Sequence, residues 1–578
     1  MLKFSWKKIL LLVFILAAVV AIFQIMVKPQ SGEEALPKVP SPSSPVSDVE
    51  NKPNIVIVVA DDLGYTDLGS YGGEIETPNL DSIAESGVQF SQFHVGAACS
   101  PSRAMLMTGV DNHLVGLGVF NEKTIASNQK GIPGYEGKLN KSAASLSEVF
   151  LDSGYHTYIS GKWHLGYDAE SSPPAFGFQR SFVQLEGGAG HFNELPVLPF
   201  QRKANYREDG RRVSLPENFY SSDFYTDKLI SYIDQDNSST RPFFAILAYT
   251  APHWPLQAKK ETIDKYEEKY KLGYERLAQQ RIQSLVEKGL LDKPSEAQPY
   301  INDDLQRWDS LTEEEQQYEA RRMAVYAAMI DDMDNAFGRF VSHLKEVEKY
   351  DNTLFVFLSD NGAEGHQMDF MASLVELSTL FGIECCDNSY ENIGEASSFI
   401  DLGPHWVRAS IGPHRIYKGF PTQGGIIAPA FISGNGVEKN KKFHEFASVK
   451  DVFPTLLEYA GIENHGSFYG GRKVHPLEGV SMLEMLSGQS DTVHNDKEMM
   501  GWELFGKHSV RFGEWKLLRM PPPYGENQWE LYDLSKDPSE GNNLASTEPE
   551  MLQKMIKKWE EYKDNANIVL PGKMWWTY

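Results

Sequence analysis

The sequence has few cysteines and no excess of positive charge, and each shortage excludes a class of protein. Its 3 cysteines, Cys99, Cys385 and Cys386, are too few for a disulfide scaffold and lack the paired spacing of a zinc site. We therefore expect neither structural disulfides nor structural zinc. The 55 basic and 79 acidic side chains give a formal net charge of −24. Nucleic-acid binding needs a surface rich in Lys and Arg, so neither DNA nor RNA is an expected partner.

The N-terminal segment differs in composition from the rest of the chain. Lysines precede a run at residues 9–26 that is apolar on every side, which is typical of a segment that enters a membrane. We predict that residues 1–27 are either a cleaved signal peptide or a membrane anchor. Residues 28–53 are rich in Pro, Ser, Glu and Lys and are predicted to form a tether. The folded part is then exported, to the periplasm or the cell surface.

The body of the chain alternates between strand-like and helix-like patterns. Continuous apolar runs, typical of strands covered on both faces, occur at 54–60, 157–160, 243–248 and 354–359. Helical patterns between them, at 79–86, 145–152 and 319–346, indicate a doubly wound α/β core over residues 54–500. A charge-rich stretch at about 259–315 is predicted to be a solvated helical insertion. Residues 501–578 are predicted to form a smaller antiparallel-sheet subdomain with a final helix.

Acidic side chains follow two of the predicted strands at the point where each strand ends. Asp61 and Asp62 follow the first run, and Asp360 and Asn361 follow the run at 354–359. The carboxyl ends of parallel strands are where open α/β sheets bind ligands. Carboxylate and amide oxygens suit a hard cation such as Ca²⁺ or Mg²⁺. Taken alone, a pair of adjacent aspartates at a strand end is more often a turn or a helix cap than a metal site.

A cysteine is predicted at the start of a helix. Pro101 suits a first helical turn and Gly109 suits a helix end, which places Cys99 at the N-terminus. The positive end of the helix dipole and the free backbone N–H groups attract an anion there, and Arg103 follows one turn later. The alternative is an inert buried cysteine beside a surface arginine.

Lysines and histidines supply further candidates. Lys162 and His164 follow a short strand two residues apart and should project the same way. His253 follows another strand, again at the sheet edge where ligands bind. Lys418 has no local pattern to support it, and a solvated lysine is the ordinary explanation for it.

The segment CSPSRAMLMTG at residues 99–109 resembles the signature of type I sulfatases, in which the cysteine is oxidised to Cα-formylglycine. Further segments resemble the same family: GKWHLG at 161–166, APH at 251–253, SDNG at 359–362, YKG at 417–419 and LYDL at 531–534. APHWPL at 251–256 and GWELFG at 501–506 are most similar to bacterial arylsulfatases. The resemblance implies an alkaline-phosphatase-like sandwich: a mostly parallel central sheet flanked by helices, with a smaller antiparallel C-terminal sheet.

The resemblance also implies a reaction. It is the hydrolysis of a small-molecule or saccharide sulfate ester, releasing sulfate and an alcohol or phenol. The hydrated formylglycine, a gem-diol formed at Cys99 by a formylglycine-generating enzyme, is the implied nucleophile. The implied metal is Ca²⁺, with Mg²⁺ as the alternative, and its implied ligands are Asp61, Asp62, Cys99, Asp360 and Asn361. Residues implied to stabilise charge or move protons are Arg103, Lys162, His164, His253 and Lys418.

Two other functions fit the same residues. A phosphonate monoester hydrolase or phosphodiesterase shares the fold and the metal carboxylates. A membrane-tethered protein that binds sulfated polymers without cutting them would keep the fold alone. Gln423 stands where the family usually has Glu, a departure expected to affect the substrate side of the site. For Cys385 and Cys386, free thiols, a vicinal disulfide and simple neighbours all remain open.

Overall fold

The computed structural model describes residues 40–41 and 52–572, apart from 122–123, 198–200, 202, 238, 294–305, 377–378, 380–383 and 496. The predicted signal peptide or anchor at 1–27 and nearly all of the tether lie outside the described residues. Among the described helices, none is both long enough and apolar enough to cross a bilayer.

The strands form one large sheet, a four-stranded sheet near the C-terminus and two short pairs. In chain order they are β1 (Asn54–Ala60), β2 (Val88–Phe90), β3 (Phe93–His94), β4 (His156–Lys162), β5 (Arg180–Gln184), β6 (Tyr206–Glu208), β7 (Arg211–Arg212), β8 (Phe243–Ala248), β9 (Thr353–Ser359), β10 (Ala430–Ser433), β11 (Lys441–Phe443), β12 (Ala447–Ser448), β13 (Phe468–Tyr469), β14 (Arg472–Lys473), β15 (Met499–Leu504), β16 (Lys507–Phe512), β17 (Trp515–Arg519) and β18 (Trp529–Asp533).

The large sheet has ten strands in the order β11-β2-β10-β9-β1-β8-β4-β5-β6-β7. Its middle, from β9 to β5, is entirely parallel, and antiparallel pairs occur on both sides of this block. Alternate side chains of β1 point to opposite faces of the sheet. Val56 and Val58 belong to one of the two large apolar clusters, and Ile55, Ile57 and Val59 belong to the other. Because both faces are covered, these strands read as unbroken apolar runs. The predicted mostly parallel α/β fold is confirmed.

The helices cover both faces of this sheet. In chain order they are α1 (Pro78–Glu85), α2 (Cys99–Thr108), α3 (Leu146–Asp152), α4 (Ser221–Gln235), α5 (Lys260–Tyr270), α6 (Tyr274–Glu287), α7 (Glu313–Glu346), α8 (Asp369–Glu376), α9 (Gly403–Ser410), α10 (Gln423–Ile426), α11 (Val452–Tyr459), α12 (Leu483–Leu486) and α13 (Pro549–Asn565). Capping boxes start α3 at Ser145 and α7 at Thr312, where the hydroxyl accepts from the backbone N–H three residues later.

The charge-rich stretch contributes more to the core than its composition suggests. In α5 and α6 the side chains of Tyr266, Tyr270 and Tyr274 are fully buried in the larger apolar cluster. The buried Arg281 donates hydrogen bonds to the carboxylates of Asp67 and Glu74. These helices are therefore not the solvated layer that their charge predicts, because their tyrosines and Arg281 face the core while most of their other charged side chains face outward.

The C-terminal sheet is antiparallel in the order β15-β16-β17-β18, as predicted. Helix α13 packs against it through Met555, Trp559 and Tyr562, which are buried with residues of β16 to β18. From β15, Trp502 joins the apolar cluster of the main core. The small sheet therefore packs against the large domain through its first strand, β15.

The two adjacent cysteines correct one expectation. Cys385 and Cys386 form a disulfide with each other, although the low cysteine count predicted none. A low number of cysteines excludes a scaffold of disulfides between distant parts of the chain. It does not exclude a disulfide between two cysteines that are adjacent in one loop. Both residues pack at the edge of a small apolar cluster that also contains Trp254 and Met368.

A buried ionic contact joins the C-terminal sheet to the core. His113 donates to Asp111 Oδ1 over 2.8 Å and to Glu503 Oε2, on β15, over 3.3 Å. Tyr562 of α13 donates to the other oxygen of Asp111 over 2.6 Å. Burial opposes a charge on His113, but its hydrogen bonds to Asp111 and Glu503 outweigh burial and raise its pKa to about 9.

We expect this contact to make stability depend on pH. The pKa of His113 in the folded protein lies above its ordinary value of 6.5. The charged histidine therefore contributes its full stabilisation below about pH 6.5, and this stabilisation is lost as the pH rises through about 9. His113→Gln leaves two buried carboxylates without a cation and should lower the free energy of unfolding at pH 7 by about 3 kcal/mol. Urea unfolding at pH 7 and pH 9.5 measures both effects.

His444→Gln is the matched control, because His444 is exposed. Its unfolding curves should follow the wild type at both pH values. If His113→Gln loses as much stability between pH 7 and pH 9.5 as the wild type does, the ionic contact does not cause the pH dependence.

Candidate active site

The ends of adjacent parallel strands place the predicted side chains around one point. Asp61 and Asp62 directly follow strand β1. Asp360 and Asn361 directly follow β9, which is hydrogen-bonded to β1 in the sheet. On the other side of β1, β8 leads to the loop of His253, and β4 ends at Lys162 and is followed by His164. All of these side chains are buried except that of His164, which is half-buried. The juxtaposition predicted from strand ends is therefore present in the structure.

The carboxylates at the centre are paired with lysines. Lys162 Nζ lies 2.7 and 2.6 Å from the two oxygens of Asp61. Lys418 Nζ, from the loop before α10, lies 2.8 Å from Asp62. Burial raises the pKa of Asp61 to about 7, against the attraction of Lys162. Burial opposes a charge on Lys418 as well, but Asp62 outweighs it and the pKa of this lysine lies well above its usual value.

Helix α2 brings Cys99 and Arg103 to the same point. Cys99 is the first residue of the helix, after the N-cap Ala98, and its Sγ lies 3.7 Å from Asp62 Oδ1. Burial raises the pKa of the thiol well above its usual value, so the unmodified cysteine is a poor nucleophile. Arg103 donates from Nε to Asp360 Oδ2 over 2.8 Å and from Nη1 to the carbonyl of Lys162 over 2.9 Å. Within the described residues, its buried Nη2 makes no hydrogen bond.

The two histidines are held uncharged. Burial and the neighbouring lysines keep the pKa of both His164 and His253 well below the usual range. His253 Nε2 lies 3.6 Å from Asp62 Oδ2, and its Nδ1 donates to the carbonyl of Trp254 over 2.6 Å. That bond fixes the tautomer and leaves Nε2 as the nitrogen that faces the centre.

Two backbone positions at the site are left-handed without being glycine. Asp62 has φ 65° and His164 has φ 54°. Non-glycine residues seldom adopt this conformation, and it costs of the order of 1 kcal/mol or more at each position. The backbone N–H of Asp62 donates to Asp360 Oδ1 over 3.4 Å, and the ring of His164 packs against Gly187, so contacts from other segments hold each residue at the site.

Residues that the sequence did not indicate also shape the site. Gly187 and Gly188 lie against the rings of His164 and His253, and a Cβ added at either glycine would lie 2.9 Å from its histidine ring. Glu364 is buried and lies 3.5 Å from Lys418 Nζ. Glycines in a loop and a glutamate four residues beyond Asp360 have no local pattern that marks them, since their roles come from contacts across the fold.

The oxygen atoms at the centre fit a cation. Asp61, Asp62, Cys99 and His253 each offer a ligand atom, all within 4.8 Å of one another. The buried Asn361 Oδ1 has no hydrogen-bond partner among the described residues, while its amide N donates to Asp62 over 2.7 Å. An unpartnered buried acceptor is costly unless something binds it. A hard divalent cation would use it together with the carboxylates.

Gln423 lies in the contact between the main domain and the C-terminal sheet, and not on the substrate side of the site where the sequence predicts it. It is buried at the start of α10, where its Oε1 accepts from Lys516 of β17 over 3.1 Å. Its backbone N–H donates to Glu540, which also pairs with Lys516 over 2.6 Å. The departure from Glu therefore lies in the contact between the main domain and the C-terminal sheet rather than on the substrate side, and Glu540 supplies a carboxylate to Lys516.

A cavity of about 500 Å³ opens onto this point. Its floor contains Cys99, His164, His253 and Lys418. Most of the side chains that line its walls are apolar or aromatic, including Trp254 and Phe370. A polar, charged floor beneath apolar walls can bind a small anionic group that carries an organic substituent.

Residues 53–462 match the family model named Sulfatase. The chain belongs to the sulfatase family. It is similar to an uncharacterized sulfatase of Schizosaccharomyces pombe, 40% identical over 90% of this chain and 94% of that protein. It is also similar to an arylsulfatase of Klebsiella aerogenes, 39% identical over 75% of this chain and 92% of the relative. The enzyme is thus a sulfuric ester hydrolase, and the predicted family and its bacterial arylsulfatase relatives are confirmed.

Solved structures agree on the fold of this sulfatase. The crystal structure of Ps i-CgsB in complex with k-i-k-neocarrahexaose has a TM-score of 0.62 and 24% identity, over 88% of this chain and 92% of that one. A protein in complex with its substrate D-glucosamine-2-N,6-O-disulfate has a TM-score of 0.58 and 18% identity, over 89% and 98% of the two chains. At these identities the likeness shows the fold alone.

We expect Gly188→Ala to impair the sulfatase without unfolding it. The added methyl group would push the ring of His253, and displacement of a reacting group by a fraction of an ångström should cost about tenfold in kcat/KM. Turnover of 4-nitrophenyl sulfate measures the loss, and circular dichroism checks the fold.

Gly190→Ala is the control from the same loop. Its added Cβ would lie 2.7 Å from Asn193 and 2.9 Å from Leu195, but it would touch neither histidine. A loss of kcat/KM as large in Gly190→Ala as in Gly188→Ala would mean that crowding of the loop, and not contact with His253, is responsible.

Proposed function

We propose that this sulfatase hydrolyses its ester with a formylglycine made from Cys99 and a bound divalent cation. The observation that supports the proposal most is the position of Cys99, at a helix N-terminus and 3.7 Å from Asp62 in a floor of paired charges. Hydrated formylglycine supplies an oxygen nucleophile, which the buried thiol cannot supply at neutral pH. The signature at residues 99–109 is the sequence that the maturation enzyme would recognise.

The cation is proposed to be Ca²⁺, with Mg²⁺ as the alternative, since both prefer oxygen ligands. Asp61, Asp62, Asp360 and Asn361, together with the modified residue 99, would hold it. The unpartnered Oδ1 of Asn361 and the 4.8 Å grouping around Asp61 and Asp62 support this ligand set. Bound there, a cation supplies charge stabilisation to sulfate oxygens and to the nucleophile.

Charge balance explains why such a floor would attract a sulfate ester. In the structure three carboxylates, those of Asp61, Asp62 and Asp360, face the three cationic side chains of Arg103, Lys162 and Lys418. These charges offset one another, and even when the buried Glu364 beside Lys418 is counted, a divalent cation leaves a net positive centre in a buried, low-dielectric place. The Nη2 group of Arg103, which has no hydrogen bond among the described residues, can then donate to a sulfate oxygen.

The histidines are proposed to move the protons. His253 presents Nε2 to the centre and, with Lys418 beside it, is placed to protonate the departing alcohol or phenol. His164 also lines the cavity floor and is proposed to take the proton from the remaining hydroxyl, so that sulfate leaves and the aldehyde returns. Both pKa values are low, so each ring is neutral at rest, and His164 can accept a proton directly. His253 Nε2 has to receive the proton that it passes on, and the charged Lys418, which contacts the same carboxylate of Asp62, is the proposed source.

Export of the enzyme is also a proposal, based on the apolar run at residues 9–26. The Cys385–Cys386 disulfide supports it, since disulfides persist in oxidising compartments such as the periplasm.

We expect the tryptic peptide that contains residue 99 to carry the mass of an aldehyde when the enzyme is made with a formylglycine-generating enzyme. The same preparation should release sulfate from 4-nitrophenyl sulfate, and Cys99→Ala should lower kcat by at least about 10³-fold, as loss of a nucleophile does. Mass spectrometry and ion chromatography measure the two results.

Wild-type protein made in a host without the maturation enzyme is the control and should show the thiol mass and no turnover. Full turnover by Cys99→Ala would exclude the formylglycine mechanism. Faster hydrolysis of phenyl phosphonate or a phosphodiester than of the sulfate would favour the phosphorus-directed alternative, and binding without any turnover would favour the non-catalytic one.

Asp61→Asn should weaken Ca²⁺ binding by at least about tenfold, because it removes a charged ligand from the proposed set. Isothermal titration calorimetry on protein stripped with a chelator measures the affinity. Asp334→Asn is the control, since Asp334 of α7 is equally buried but accepts from Leu80 and Asn79 of α1 and does not line the cavity. Equal affinity in Asp61→Asn and the wild type would place the cation elsewhere.

A further inference from the structure

The walls of the active-site cavity differ from its floor in a way that bears on the organic part of the substrate. The floor holds the charged and titratable side chains. Val197, Trp254, Met368, Phe370 and Met371 also line the cavity, and all but Phe370 belong to or pack against one small apolar cluster; we call these five residues the apolar wall. Among the described residues, the polar side chains that line the cavity beyond the floor are those of Asn121, Thr124, His366 and Gln367, and none of them is a permanent cation that could bind a further sulfate group.

The apolar wall is anchored from behind. Helix α8 packs inward through Ala372 and Val375 against the small cluster that contains Trp254 and Phe399. Trp254 lies with its ring 5.7 Å from Phe399 and stacked 5.0 Å from His253. The wall is therefore joined directly to one of the two histidines of the floor.

Phe370 is the exception to this packing. Its side chain is 73% exposed, the largest exposure among the large apolar side chains that the structure describes as exposed. It is the second residue of α8 and borders the cavity. A large apolar side chain that is left uncovered at the rim of a ligand cavity gains contact energy when an apolar ligand covers it.

The size of the cavity points the same way. A volume of about 500 Å³ lies in the range of pockets that enclose drug-sized ligands, and a sulfate group with one small ring fills only part of it. Two further lining residues are aromatic, with Phe120 packed on Phe505 and Tyr524 packed on Phe420. An extended apolar chain in this cavity would therefore find aromatic and aliphatic groups beyond the apolar wall as well.

We propose that α8 is a specificity element that selects monosulfate esters with an extended apolar alkyl or aryl group, and that Phe370 is the residue that covers the distal part of this group. The inference rests on the proposed function, since it assigns the substrate class of the same site. Sulfated sugars, with several anionic and hydroxyl groups, would meet an apolar wall that offers them few hydrogen bonds.

The test is a series of n-alkyl sulfates, from ethyl through butyl and hexyl to octyl, with sulfate release measured by ion chromatography. In the wild type we expect kcat/KM to rise with chain length, by up to about fourfold for each methylene that becomes buried. Phe370→Ala should lower the ratio of kcat/KM for octyl to ethyl sulfate by about tenfold, and Phe370→Leu should keep most of that ratio.

Phe468→Ala is the matched control. Phe468 is 63% exposed and lies on β13, in a hairpin that does not line the cavity. It should leave both activity and the chain-length ratio unchanged, although it removes the same apolar area.

The outcomes separate this inference from the proposed function. Turnover of 4-nitrophenyl sulfate with a flat chain-length series would overturn the apolar specificity and leave the sulfatase mechanism standing. Faster turnover of D-glucosamine-2-N,6-O-disulfate than of octyl sulfate would also overturn it. If aldehyde-bearing enzyme turns over no sulfate ester, both proposals fail together.

Discussion

The structure depends on the burial of three carboxylates at the ends of neighbouring parallel strands. Asp61, Asp62 and Asp360 lie close together without contact with bulk water, an arrangement that is unstable unless opposite charges are equally close. Those charges come from three separate places in the chain: Arg103 on α2, Lys162 at the end of β4 and Lys418 in the loop before α10. The central sheet, the helix and the loop must therefore be in place together, and assembly of the site is part of folding the domain.

This neutral arrangement sets the chemistry available to the floor. The pairs hold the charges at fixed positions in a low-dielectric surrounding, where each charge acts on a ligand more strongly than it would in water. Burial, with the same cations, keeps His164 and His253 neutral, so the proposed mechanism gives proton transfer and charge stabilisation to different side chains. Left-handed backbone at Asp62 and His164 costs stability, and it directs both side chains at the reacting point.

Local patterns in the sequence account for what could be predicted. Unbroken apolar runs gave the strands, and residues directly after them, such as Asp61 and Asp360, gave the edge where the site lies. Contacts between distant segments left no local pattern. His113 and Glu503 are 390 residues apart, Gly187 and Gly188 are recognisable only from the histidine rings they touch, and Lys516 meets Gln423 across a domain contact. The Cys385–Cys386 bond was missed because the cysteine count bears on scaffolds and not on neighbours.

The floor and the walls of the cavity come from different parts of the fold, and this division lets chemistry and specificity vary separately. Three of the four floor residues follow sheet strands or begin α2, so the buried core sets their positions, and the fourth, Lys418, lies in the loop before α10. Wall residues lie in loops and on the short helix α8, where a substitution such as one at Phe370 changes the surface offered to the substrate but no strand. His253 and Trp254 are the exception. They are neighbours in the chain and stack on each other, so the group that fills the wall also presses on the ring that faces Asp62. A substrate that fits the wall would thereby help to position the histidine for proton transfer, which places part of the binding energy at the reacting atoms.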